Sequence, residues 1–160
     1  MSPLLRLAGG ADPSAAQRTS SPRSGHRPGA TSPASSDVHL ARLAGVNLFV
    51  FGADDEVTEL FTPLWPCLVA PIVVRYRGEP LRLPPASTPV GTIVIYDLDT
   101  LTPSEQYALH QWVRGASGRA WVVSTAVAPL FPLVEAGVFD DGLYYRLNAV
   151  TIDLTSPLAS

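Results

Sequence analysis

From Val38 onward, short apolar runs alternate with stretches of helical periodicity, and turn residues separate them. VNLFVFG (46–52) predicts a first strand, and DDEVTELFTPLW after it a short helix with acids in its first turn. IVVRYR (72–77) predicts a second strand. A proline-rich connection, GEPLRLPPASTP, leads into a third, GTIVIYDL (91–98). The helix that follows is the best signalled: Thr102 suits the N-cap, Pro103 the first helical position, and Glu105 completes a capping box. Ala108, Leu109, Trp112, Val113 and Ala116 then share one face at helical spacing. RAWVVSTA (119–126) predicts a fourth strand, PLFPLVEAG and DGLYYRLN two short helices, and AVTIDL a fifth strand. Continuous apolar strands separated by helices indicate a sheet buried on both faces, which is the habit of parallel strands. The expected class is three-layer α/β with a five-stranded, mostly parallel sheet.

Residues 1–37 break this pattern. SSPRSGHRPGATSPASS holds no large apolar side chain to bury, so a disordered Ser/Pro/Arg-rich tail is expected there, preceding a core over residues 38–160. The 160-residue length and 46% apolar content suit one domain with one core. A net charge of -3 provides no electrostatic footprint for nucleic acid, so direct binding to it is not expected. No apolar run approaches the roughly 20 residues of a membrane span, and the N-terminus has no signal-peptide core; no membrane association and a cytoplasmic location are expected. Cys67 is the lone cysteine and is expected as a buried apolar thiol, while His26, His39 and His110 lack metal-ligand spacing. All 11 basic residues are arginine, so chemistry that needs a lysine is excluded.

GTIVIYD, GVF and LYYRLNAV, in that order and at compatible spacing, resemble the AAA+ ATPase domain of sigma-54-dependent transcription activators. That family has a strand of the form GTLFLDE and a later block close to G-x-F-R-E-D-L-Y-Y-R-L-N-V. The resemblance runs over residues 46–154 and implies a sheet of P-loop/AAA+ type. It also implies where motor parts should stand. A P-loop needs glycines for close backbone approach to phosphate, then a lysine and a hydroxyl residue. Here Gly52 is followed by Val57, Thr58 and Glu59 at the Gly, Lys and Ser/Thr positions. Asp54, Asp55 and Glu56 put negative charge where a phosphate would sit, although acids there also suit the helix dipole. The two carboxylates of the family's Walker B strand correspond to Tyr96 and Asp97, and the sensor asparagine to Val127. Of the two interface arginines, one corresponds to Asp140 and the other survives as Arg146. The sigma-54-contacting loop GAFTGA has no counterpart in GEPLRLPPASTP, and the chain stops soon after the fifth strand, without the helical lid.

These departures lead to an expectation of no catalytic, cofactor-binding or metal-binding residues. Gly52, Tyr96, Asp97 and Val127 are then vestigial nucleotide-site positions, and Arg146 is the candidate arginine finger at an interface. The expected function is a non-catalytic, sigma-54-activator-like module acting in transcription regulation through protein association. Its partner would be an active AAA+ activator or the transcription machinery. An alternative comes from IVIYDLDTLT, which is similar to the D-x-D-G-T strand of magnesium-dependent, haloacid-dehalogenase-type phosphatases. There Asp97 would be nucleophile, Asp99 acid/base, Thr125 or Ser124 the phosphate-binding hydroxyl, and Asp140 with Asp141 the magnesium acids. The glycine after Asp99 and the phosphate-binding lysine of that motif are missing. An inactive remnant or a fragment is the third reading.

Overall fold

Leu48–Phe51 forms β1, and every residue of it is buried. Successive side chains point to opposite faces of a strand, so Leu48 and Val50 enter one core cluster while Phe49 and Phe51 enter the other. The computed structural model describes residues 33–116 and 118–156. Around β1 it sets β2 (Ile72–Arg75), β3 (Thr92–Ile95), β4 (Trp121–Ala126) and β5 (Val150–Asp153) in the order β2-β3-β4-β1-β5. Every pairing is parallel. The expected five-stranded α/β sheet is therefore present, and it is wholly parallel.

Helices cover both faces. On one side α1 (Pro33–Ala44) and α2 (Asp54–Leu64) bury Val38, Ala41, Val57, Leu60, Phe61 and Leu64 against Leu48, Val50, Val94 and Val123. On the other, α3 (Pro103–Gly115), α4 (Phe131–Glu135) and α5 (Asp141–Leu147) bring Leu109, Val113, Leu143 and Leu147 against Phe49, Ile93, Ile95 and Val122. Four of the most buried of these, Leu109, Leu143, Leu48 and Val50, have no measurable exposure. Fully burying one such side chain is worth about 1.5–3 kcal/mol.

Four expectations need correction. α1 begins at Pro33, inside the segment assigned to the tail, and is anchored by Val38 and Ala41, which pack into the core cluster that holds Leu48 and Val57. The expectation for residues 1–32 lies outside the described residues. On α3, Ala108 is exposed and Gln106 takes a buried position instead. That polar burial is satisfied: the Gln106 amide donates to the carbonyls of Leu101 and Val138, both at 3.1 Å, and accepts from the Asp140 amide at 2.9 Å. Cys67 is exposed, since it closes a single 3-10 turn (Trp65–Cys67) in which no residue is buried. Finally, the third strand stops at Ile95, three residues early, because Asp97 adopts a left-handed conformation (φ 53, ψ 61) that turns the chain into a short 3-10 segment, Leu98–Thr100.

The α3 start forms as read. The Thr102 side chain accepts from the Glu105 amide at 3.3 Å, and the Glu105 carboxylate accepts from the Thr102 amide at 2.9 Å. Glu105 also accepts from Leu81 N at 2.9 Å, and Trp112 Nε1 donates to the Pro84 carbonyl at 2.9 Å. Those two bonds bind the proline-rich connection along α3.

Candidate functional site

In a parallel α/β sheet the crevice beyond the carboxyl ends of the strands is where ligands bind. At that edge lies a cavity of about 290 Å³ lined by residues following β1, β2 and β3, the last two residues of β4 and the first turns of α2. Gly52, Tyr96 and Asp97 line it, so the fold gathers three of the four expected nucleotide-site positions. The fourth, Val127, is exposed one residue beyond Ala126 at the end of β4. Thr125, also in the lining, lies near the Asp97 amide at 3.4 Å.

Asp97 is 5% exposed, a burial that demands a partner for its charge. Arg77 is that partner. Its Nε donates to Asp97 Oδ2 and its Nη2 to Asp97 Oδ1 at 3.0 Å, a two-pronged contact, and Nη2 reaches on to Asp54 Oδ1 at 2.7 Å. One guanidinium thus ties the end of β3 to the first turn of α2. The hydrogen bond and charge of Asp97, then the charge of Asp54, raise the pKa of Arg77 above its ordinary value. Arg75, two residues earlier and buried, fixes the backbone beneath this contact. Its Nη1 donates to the carbonyls of Tyr96 at 2.8 Å and Asp97 at 3.3 Å, and its Nε to the Glu79 carbonyl at 2.8 Å.

The Tyr76 and Tyr96 rings stack with centroids 6.0 Å apart and planes 6° apart, forming one wall. Burial, and secondarily Tyr76, push the Tyr96 phenol above the usual tyrosine range, so it stays protonated. Over Gly52 the space is filled by the chain itself: an added Cβ would meet Leu154 Cβ at 2.7 Å and Glu56 Oε2 at 3.0 Å. Glu56 is held there by accepting from the Ala53 amide at 2.9 Å.

Most residues of the alternative motif have other engagements. Asp97 is bound by Arg77, and Asp140 caps α5 by accepting from Leu143 N at 2.6 Å while facing His110 Nδ1 at 3.1 Å. Asp141 accepts from the Gly142 amide at 2.7 Å. Ser124 is fully buried in β4, 3.5 Å from the Leu48 carbonyl. Asp99 keeps one carboxylate oxygen buried without a hydrogen-bond partner. Among the described residues no three acid, histidine or cysteine side chains gather in a way that could hold a metal ion.

Arg146 is exposed near the end of α5, at the opposite edge of the sheet from Gly52. Its carbonyl accepts from Asn47 Nδ2 at 2.9 Å. In LYYRLN, Leu143 and Leu147 enter the core, Tyr144 packs on Phe131 at 5.9 Å, and Tyr145 is 66% exposed. The sequence reading passed over Arg75, Tyr76 and Arg77. The signal for them was present in IVVRYR, where two arginines spaced by one residue end an apolar strand.

No family model matches the chain, and no curated protein matches it. Its fold is similar to that of NtrX from Brucella abortus solved in complex with ATP, with a TM-score of 0.58 at 14% identity over 79% of this chain and 36% of that one. NtrX solved with ADP gives 0.57 at 13% identity over 78% of this chain and 36% of that one. The P-loop NTPase domain of the sigma-54 transport activator from E. coli superposes more loosely, at 0.47 and 20% identity over 68% of this chain and 97% of that one. The chain spans about a third of the NtrX structures that it matches. At such identities the likeness is one of fold: a five-stranded parallel α/β sheet with flanking helices.

Proposed function

We propose that the chain is a non-catalytic, sigma-54-activator-like AAA+ module that has lost ATP binding and hydrolysis and acts in transcription regulation through protein association. The observation that carries this reading is the placement of Arg77. Its guanidinium spans Asp97 and Asp54 inside the cavity where the fold would seat a nucleotide. NtrX was solved with ATP; the residues here do not fit that ligand. Asp54, Asp55 and Glu56 lie in the first turn of α2, at the point where a triphosphate would need donors. Val57, Thr58 and Glu59 supply no ammonium group, and Thr58 Oγ1 is already committed to the Asp54 carbonyl at 2.7 Å. A side chain at Gly52 would meet Leu154 and Glu56, so these two crowd one side of the turn that follows β1. Tyr96 replaces the metal-organising carboxylate, and its phenol remains neutral.

Without a nucleotide, the module acts through its surface, in a cytoplasmic complex with an active activator ATPase or the transcription machinery. Arg146 is exposed and forms no ion pair among the described residues, so it is free to reach a neighbour's active site. Mixing the chain with a sigma-54 activator ATPase tests this. The expected results are no ATP turnover by the chain alone, co-elution of the two on size exclusion, and a change in the activator's turnover that Arg146→Ala removes. Turnover by the isolated chain, lost in Asp97→Asn, would instead establish an enzyme.

A further inference from the structure

Asp97 and its cation are unequal partners. The Asp97 side chain is 8% exposed, whereas that of Arg77 is 57% exposed. A buried carboxylate stripped of its cation is strongly destabilised. The Arg77 side chain itself is open to water, so it can leave if another cation takes its place on Asp97, and its second contact, with exposed Asp54, adds little to hold it. The site therefore requires a cation without requiring this one. The surroundings define which cation fits. Asp97 receives two parallel N–H bonds from Arg77, a fork that a guanidinium matches and an ammonium does not. The stacked Tyr76 and Tyr96 rings form a flat aromatic wall of the cavity, and Gly52, Val57 and Ala126 supply apolar lining. With Arg77 swung away, the lining retains two carboxylates and no positive group.

We propose that this cavity is a receptor for a small organic cation with a planar guanidinium head, seated on Asp97 and Asp54 against the tyrosine wall, with Arg77 as its resident competitor. This rests on the reading that the cavity does not serve a triphosphate. The probes are ethylguanidinium and ethylammonium, matched in charge and tail, titrated by calorimetry into the full chain and its variants at millimolar concentration. Arg77→Ala should bind ethylguanidinium saturably, about tenfold or more tighter than either ethylammonium or the unmodified chain does. Adding Asp97→Asn should abolish that binding. If Arg77→Ala does not fold alone, folding restored by ethylguanidinium and not by ethylammonium gives the same answer. No binding or rescue in Arg77→Ala, equal response to both probes, or binding that survives Asp97→Asn overturns the proposal. A parallel titration with magnesium ATP separates the two readings: ATP binding by the unmodified chain contradicts the loss of nucleotide function, whatever the guanidinium probes do.

Discussion

Glu105 closes the α3 cap and pins Leu81, and both contacts depend on its charge. Hydrogen bonds from the backbone of Leu81, and next of Thr102, hold its carboxyl below the usual glutamate range. A carboxyl with a lowered folded-state pKa contributes stability above its unfolded value, about 4.3 for a free glutamate, and loses it as pH falls through the folded value. Glu105→Gln should therefore flatten the acid side of a plot of urea midpoint against pH. Thr102→Ala removes the other half of the cap and should cost about 1 kcal/mol in the same unfolding experiment. Gly52 gives a third test. A methyl group there meets the Leu154 Cβ, so Gly52→Ala should destabilise by about 1–3 kcal/mol even though the site holds no nucleotide in this account. The cap was legible in TPSE because capping is local chemistry. The Arg77–Asp97 contact was not, because it joins residues 20 apart across two strand ends and nothing in the local pattern announces the pairing.

The strands and most helices were equally legible, since continuous apolar runs and 3.6-residue stripes reflect burial directly. Their ends were less so. β3 was read through Leu98, yet a left-handed Asp97 stops the pairing at Ile95 with no glycine to mark the turn. The first part of α1, residues 33–37, was read as tail because the helix buries Val38 and Ala41 yet leaves Leu40 and Leu43 exposed, too thin a stripe to stand out among small polar residues. In α5 the sequence alone lets Tyr144, Tyr145 and Arg146 fit either a packed or a contacting face. The structure divides them. Leu143→Ala, at a fully buried position, should cost about 2–5 kcal/mol. Tyr145→Ala should change stability by no more than about 0.5 kcal/mol. Thermal or urea unfolding of the two variants checks that division, and similar losses in both would contradict it.

In the molecule as a whole, the carboxyl edge of the α/β sheet forms a crevice that the chain lines with its own charges. The loop after β2 sends Arg77 to Asp97 and Asp54, the turn after β5 lays Leu154 over Gly52, and Glu56 folds back onto the start of α2. In the reading proposed above, each of these contacts occupies space or charge that a nucleotide would need. No helix among the described residues is long and apolar enough to cross a membrane. The exposed surface includes Tyr145 and Arg146 at one edge and Tyr76 with Arg77 at the other, and association would be read out through these side chains. The measurement that bears most directly on this account is an equilibrium titration of the full chain with fluorescently labelled ATP in the presence of magnesium. The account predicts no saturable signal through the millimolar range. Saturable micromolar binding that unlabelled ATP competes away would contradict it.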